Sequence, residues 1–166
     1  MSHLLSVSPA CIRATLEAIA ARGHEGLEGT AFWLGSVATL EVEGLVVPRG
    51  QGVWHGPRGV QISAEWMILL ADHCDNRENV VLAGMHSHPH AAYHSEVDDL
   101  GLLHAPDFVS IVLPNYGFTT LDDAPTDWAV YVGVEGGAWR QSSWASAVRL
   151  DAALEFQTHP IGCENS

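Results

Sequence analysis

Short, strongly apolar runs alternate along the chain with two segments that carry helix-start signals. Of all the features of the sequence, this alternation restricts the possible folds most strongly. Ser8-Pro9 supplies a hydroxyl N-cap and then a proline, whose missing N–H costs nothing in a first helical turn. Apolar residues then recur at helical spacing up to Gly23, which predicts a helix over about residues 9–22. A second amphipathic helix is predicted to begin at Ser63.

The apolar runs themselves predict the strands of one central sheet. They cover residues 30–35, 37–47, 79–85, 108–113 and 128–134. The run at 79–85 is continuously apolar, which is typical of a central strand. Glycines and prolines predict a loop over residues 48–59, and residues 143–156 are expected to form a closing helix. Because helices and strands alternate irregularly, we expect a mixed α/β domain with a central mixed sheet flanked by helices.

Size and charge exclude several classes of protein. The chain has 166 residues, about one domain by length, which we place at 1–157 with a C-terminal tail at 158–166. The chain contains twenty Asp and Glu residues, seven Arg and no Lys, which gives a net charge of −13. Nucleic-acid binding and docking on an anionic membrane both need a basic patch, so we expect neither.

The cysteines and the N-terminal segment indicate a reducing, cytoplasmic setting. Cys11, Cys74 and Cys163 are far apart and form no CxxC pair, which disfavours both a disulfide framework and a thiolate zinc site. No apolar run reaches the length of a membrane span, and no basic segment precedes an apolar one at the start of the chain. We therefore expect a cytoplasmic protein without a signal peptide.

A histidine cluster carries the strongest chemical signal. His86 and His88 stand two residues apart at the end of a predicted strand, so both imidazoles lie on one face and can share a metal ion. Pro89 forces a turn, and Ser95 has the character of an N-cap that would place Asp98 in the following helical turn, facing the strand end. Two imidazoles and one carboxylate make a three-ligand zinc site that leaves one position for water, which is the catalytic type.

Other interpretations of these histidines carry weight. An isolated HxH pair occurs often on protein surfaces, and histidine-rich tracts bind metal adventitiously. The combination of HSHP with SxxD in one short segment is much less expected by chance. His90 and His94 lie close by and are interpreted as solvent-facing loop residues, as substrate contacts or as a source of extra metal binding.

These residues resemble the JAMM metalloprotease motif of catalytic MPN domains, E…HxHP…SxxD. In that family the two histidines and the aspartate bind zinc, an upstream glutamate acts with the zinc-bound water, and the serine supports the transition state. The resemblance implies that His86, His88 and Asp98 ligate one Zn²⁺ and that Ser95 is catalytic. It also implies a single JAMM/MPN-like domain with a cytidine-deaminase-like fold.

The resemblance further implies a catalytic glutamate in an early strand. Family members place it seven residues before a glycine, in a pattern like E-x-x-G-x-L-x-G, and Glu28 has that separation from Gly35. Ala31 replaces the usual glycine of the pattern, and Trp33 replaces a usual aliphatic residue. Glu25 is the competing candidate, but its offset from the glycine is wrong.

One spacing departs from the family pattern. Six residues separate His88 from Ser95, where the family usually has seven. Counting from the histidine would make Asp99 the ligand and put Glu96 in place of the serine. We prefer Asp98, because it keeps both members of SxxD and a loop absorbs a deletion more easily than a helical turn.

The resemblance implies a zinc-dependent isopeptidase or peptidase that cleaves after the C-terminus of a ubiquitin-like protein. Residues 107–117 resemble the strand and turn that follow the metal motif in bacterial JAMM domains, which are often found with ubiquitin-activating-like and ubiquitin-conjugating-like enzymes. Those enzymes and the ubiquitin-like protein are the implied partners. Two alternatives remain: a processing peptidase for a sulfur-carrier protein, and a non-catalytic scaffold of the same fold.

Overall fold

The large sheet is built around one long strand that ends in the histidine motif. The computed structural model describes residues 4–95 and 103–162. Its strands there are β1 (Leu5–Val7), β2 (Thr30–Gly35), β3 (Val42–Val46), β4 (Val53–Gly56), β5 (Gly59–Ile62), β6 (Val80–Ser87), β7 (Val109–Leu113), β8 (Ala129–Gly133), β9 (Trp139–Ser142), β10 (Val148–Leu150) and β11 (Gln157–Thr158). The α-helices in the same ranges are α1 (Pro9–Gly23), α2 (Ala64–Asp75), α3 (Ala124–Asp127) and α4 (Trp144–Ala147).

The strand order of the large sheet is β11-β3-β2-β6-β7-β8-β9. Strand β6 runs antiparallel to β2 on one side and parallel to β7 on the other, so the sheet is mixed. Six of the eight residues of β6 are buried, which agrees with the central strand that its apolar run predicts. The predicted mixed α/β domain is therefore confirmed.

Local sequence signals set both long helices. The Ser8 side chain accepts a hydrogen bond from the Cys11 amide at 3.1 Å, and the Ser63 side chain accepts one from the Trp66 amide at 3.1 Å. Both serines thus satisfy amides that a helix start leaves without partners. Helix α1 begins at Pro9 as predicted and ends at Gly23.

The helices pack on opposite faces of the sheet because residues of β2 alternate between the two faces. Trp33 belongs to the core cluster on the α1 side, where its ring nitrogen donates a hydrogen bond to the Thr15 hydroxyl at 2.9 Å. Phe32 and Leu34 belong to the other cluster, which contains Trp66 of α2. The face of the sheet that carries α2 is the face that leads into the histidine motif.

Two predicted elements are wrong in extent. The closing helix expected at 143–156 is limited to α4, and the chain then forms β10, which pairs in parallel with β1. Val148 is buried in that pairing, and a continued helix would leave the backbone of β1 without this partner. The strand expected at 37–47 begins only at Val42, after a turn.

The loop expected at 48–59 contains a strand. Strands β4 and β5 form an antiparallel hairpin whose register runs from Val53 opposite Ile62 to Gly56 opposite Gly59. Glycines at both ends of β4 favour the loop prediction, but Gly56 and Gly59 form the last pair of the hairpin, on either side of its two-residue turn.

The chain end and the cysteines complete the fold. Thr158 pairs with Leu45 of β3, and Ile161 is buried in the α2-side core. The division at 157 between domain and tail stays a prediction. Cys11 and Cys74 are buried free thiols, while Cys163 lies outside the described residues. Among the described helices, none combines the length and the apolar character needed to cross a bilayer.

Candidate functional site

The pairing of β2 with β6 brings the predicted glutamate to the predicted histidines. Thr30 stands opposite His86 in this antiparallel pair. One residue further, the Ser87 amide donates to the Gly29 carbonyl at 3.0 Å, and the Gly29 amide donates to the Ser87 hydroxyl at 2.9 Å. Continuing the same register by one more step puts Glu28 opposite His88, and residues directly opposite share one face of a sheet.

All three side chains are buried. Glu28 is 6% exposed, His86 7% and His88 6%. Burying a carboxylate or an imidazole is costly unless it has a partner or a metal ion. Three such groups at one strand end are therefore a candidate site rather than a surface cluster.

The histidine geometry is compatible with a shared zinc ion. The ring centroids of His86 and His88 are 5.2 Å apart, with the ring planes inclined at 53°. Two imidazoles on one tetrahedral zinc have ring centres about 5 Å apart, because each Zn–N bond is about 2.0–2.1 Å long. The donor chemistry and the spacing of this pair thus fit zinc.

The structure does not describe the third predicted zinc ligand. Asp98 and the alternative Asp99 lie outside the described residues. Among residues 4–95 and 103–162, no group of three His, Cys, Asp or Glu side chains is arranged to hold a metal ion. The described part of the chain thus contains two of the three predicted ligands, and the assignment of the ligand set stays a prediction.

Glu28 and His88 open into a cleft of about 670 Å³. Half-buried Ser95 and exposed His90 also line it. The opposite wall is the tip of the β4–β5 hairpin, residues 57–59. The cleft therefore brings together Glu28, Ser95 and one of the two predicted histidine ligands.

The competing glutamate lies elsewhere. Glu25 is exposed after the end of α1, where one of its carboxylate oxygens is 3.2 Å from a guanidinium nitrogen of Arg22. It lines a different cavity, next to Arg49 and Val47. The geometry therefore favours Glu28 over Glu25 as the acidic residue of the site.

A strained turn after β7 holds residues 88–94, which we call the histidine loop. Asn115 and Tyr116 have φ values of 53° and 56°, and Gly117 follows at 83°, so three consecutive residues are left-handed. Such backbone is costly for residues other than glycine and persists only where surrounding contacts impose it. Here the Tyr116 amide donates to the His88 carbonyl at 2.7 Å, and the Asn115 amide donates to the His90 carbonyl at 2.9 Å.

His94 is packed against the sheet, which corrects its interpretation as a solvent-facing loop residue. Its ring stacks on Tyr131 with centroids 3.7 Å apart, and its Nε2 is 2.9 Å from the hydroxyl of buried Ser110. Its amide donates to the Tyr131 hydroxyl at 3.1 Å. Because His94 immediately precedes Ser95, these contacts fix the backbone from which the predicted catalytic hydroxyl projects.

His55 is a site neighbour that the sequence does not reveal. The Glu28 amide donates to the Gly56 carbonyl at 2.8 Å, and the Glu28 carbonyl lies 2.9 Å from Nδ1 of His55. Since a carbonyl only accepts, His55 carries its proton on Nδ1 in this contact. The β4–β5 hairpin thus holds both the amide and the carbonyl of Glu28. His55 is missed in the sequence because it lies within residues 48–59, which are predicted to be a loop.

Comparisons with known proteins bear on the fold alone. The chain is similar to the solution structure of a protein from Desulfitobacterium hafniense, with a TM-score of 0.58 at 15% identity over 90% of this chain and 94% of that one. It is also similar to the solution structure of a protein from Salinibacter ruber, with a TM-score of 0.54 at 18% identity over 90% of this chain and 94% of that one. Both were structural genomics targets. No family model and no curated protein matches the chain.

Proposed function

We propose that this protein is a zinc-dependent peptidase of the JAMM type, which cleaves after the C-terminus of a ubiquitin-like protein. The observation that carries the proposal is the buried position of Glu28 on the same sheet face as His86 and His88, at a cleft that Ser95 also lines. Metal ligands alone would make a binding site. A buried carboxylate beside them adds a group that can move a proton.

His86, His88 and Asp98 would hold the zinc ion, with Asp99 as the alternative to Asp98. When bound, zinc supplies a Lewis acid for the scissile carbonyl and lowers the pKa of a coordinated water toward neutrality. The buried position of both histidines suits this task, because it limits competition from bulk water for the metal.

Glu28 is the proton carrier of the reaction. Its carboxylate takes a proton from the attacking water as the new C–O bond forms. It then gives that proton to the amine nitrogen as the tetrahedral intermediate collapses and the C–N bond breaks. The hairpin contacts on both its amide and its carbonyl fix its backbone. A carboxylate with a fixed backbone needs little reorganisation at the moment of transfer.

Ser95 stabilises the charge that develops on the carbonyl oxygen. Its hydroxyl donates a hydrogen bond to that oxygen as the tetrahedral intermediate forms. The packing of His94 on Tyr131 and Ser110 supports this position, because it anchors the residue immediately before the serine.

The cleft suits an extended substrate tail. The hairpin tip at 57–59 and the histidine loop form its two walls, and an extended peptide can bind between them through its main-chain groups. A flexible C-terminal tail of a ubiquitin-like protein has this form. Activating-like and conjugating-like enzymes of the same pathway are the proposed further partners.

The experiment is cleavage of a linear fusion of a candidate ubiquitin-like protein by the zinc-loaded protein. Glu28→Gln is expected to lower kcat by at least about 100-fold, since general acid–base catalysis contributes about 10²–10⁴-fold. Bound zinc, measured on the same sample, should stay unchanged. Glu25→Gln is the matched control and should cleave like the wild type. Undiminished cleavage by Glu28→Gln would refute the mechanism.

A further inference from the structure

A second cavity begins where the predicted catalytic groups end. It has a volume of about 220 Å³ and reaches Glu28 and His86 at one end. Beyond them it is walled by apolar side chains of the sheet, the hairpin and α2, among them Phe32, Ile62 and Met67. It is thus continuous with the proposed reaction centre but different from it in chemistry.

The strand register explains why polar and apolar ends adjoin. On this face Thr30 and Phe32 of β2 stand opposite His86 and Gly84 of β6. Glu28, two residues before the start of β2, lines the same cavity. Side chains on one face of a strand pair are neighbours. One row therefore leads directly from the proposed reaction centre into the apolar cavity.

Gly84 lets two aromatic rings that line the cavity lie close to the central strand. It stands opposite Phe32, and a Cβ atom there would be 3.2 Å from Cζ of Phe108 and 3.6 Å from the ring of Phe32. Any side chain at this position would press on the two rings. The absence of a side chain in the middle of the central strand thus makes room for them.

We propose that this cavity is a specificity subsite, which receives a bulky apolar side chain, such as leucine, methionine or phenylalanine, from a substrate residue next to the scissile bond. The inference rests on the proposed function, because its mouth is defined by Glu28 and His86. The size is suitable, since an apolar cavity of about 150 Å³ holds a benzene molecule. Substrates of this protein therefore carry an apolar residue beside the bond that is cut.

The test uses two probes that bind zinc through the same group and differ only in an apolar chain. Acetohydroxamate and 4-methylpentanohydroxamate are titrated calorimetrically into the zinc-loaded protein. Burial of a leucine-sized group is expected to make the second probe about 10- to 100-fold tighter. This readout needs no substrate and no turnover.

Two variants on one hairpin strand assign the difference to the cavity. Ile62→Phe fills it from the wall and should remove most of the preference for the longer probe. Gln61→Phe is the matched control, because Gln61 is exposed on the other face of β5 and should keep the preference.

The outcomes separate the two proposals. Equal affinity for both probes in the wild type, or a preference that survives Ile62→Phe, overturns the subsite and leaves the metal centre standing. Binding of neither probe to zinc-treated protein overturns the metal centre and the subsite with it. A preference for the longer probe that Ile62→Phe removes and Gln61→Phe keeps supports both.

Discussion

Among the described residues, two pairs of histidines have ring centroids 5.2 Å apart or less, and we expect only one of these pairs to bind a metal ion. His86 and His88 have ring centroids 5.2 Å apart, while His73 and His159 have theirs 4.8 Å apart. The first pair lies at the end of β6, with His86 in the strand and His88 just after it, and both line cavities that Glu28 also lines. The second joins α2 to the segment after β11. Spacing between imidazoles is thus nearly the same in both, and the charged neighbours differ.

The charged group that acts on the pKa values of the second pair is a cation, Arg77. Glu43 and Glu155 line the same cavity as Arg77. The pKa of His73 is lowered by burial, then by the charge of Arg77 and by His159. The pKa of His159 is likewise lowered by burial and then by Arg77. A guanidinium repels a divalent cation as it repels a proton, whereas a carboxylate attracts both. We therefore expect the charge beside each pair, more than the ring spacing, to decide which pair binds a metal ion.

The largest effect that tests this comparison is loss of zinc. His88→Ala and His86→Ala should each lower zinc affinity by more than about 100-fold, since loss of a mere supporting partner already costs about 10- to 100-fold. His73→Ala and His159→Ala are the matched variants and should retain the zinc content of the wild type. Zinc content of dialysed samples is the measurement. Loss of zinc from the second pair of variants would show that the two pairs are equivalent.

A smaller effect is expected at His55, which we interpret as a positioning residue for Glu28. His55→Leu removes the Nδ1–H donor to the Glu28 carbonyl and should lower kcat by about 3- to 10-fold, the usual value of one hydrogen bond. KM and zinc content should stay unchanged. His55→Asn keeps a donor near the same place and should restore most of kcat, while a defect of equal size in both variants would indicate a general packing role.

The smallest effect concerns stability at acidic pH. The folded pKa values of His73 and His159 lie below the unfolded value of about 6.5, so the unfolded state binds more protons in this window. Their neutral forms therefore contribute stability above pH of about 6.5, and this contribution falls as the pH drops through that value. The melting temperature of the double variant His73→Gln, His159→Gln should fall less than that of the wild type when the pH is lowered from about 7.5 to 5.5. These two values lie about one unit above and below the unfolded pKa.

Arg77→Gln sharpens the same test. It removes the cation that helps to lower both pKa values, so it should also flatten the pH dependence, though less than the double variant does. A pH dependence that none of these substitutions changes would contradict the electrostatic description of the second pair.

Local signals in the sequence are sufficient for the two long helices, α1 and α2, and for the central strand. The caps at Ser8 and Ser63 act within three residues, and the apolar run of β6 identifies its own burial. The prediction of a closing helix is wrong beyond Ala147, because β10 pairs there with β1, a segment more than a hundred residues away in the sequence. Tertiary pairing of this kind overrides local helical preference.

The candidate site likewise contains residues that local sequence signals place and contacts that they do not. His86 and His88 can be placed from strand alternation alone, and their geometry agrees with that placement. The contact of Glu28 with the hairpin and the stacking of His94 on Tyr131 join segments that are distant in sequence, so local sequence signals do not indicate them. The roles of Glu28, Ser95 and Asp98 in catalysis and metal binding stay predictions.

The most direct measurement is an anomalous difference map, recorded at the zinc absorption edge from crystals grown with excess zinc. We expect one strong peak about 2.0–2.1 Å from a ring nitrogen of both His86 and His88, on the side that faces Glu28. A peak at His73 and His159 instead, or no density between His86 and His88, would contradict it.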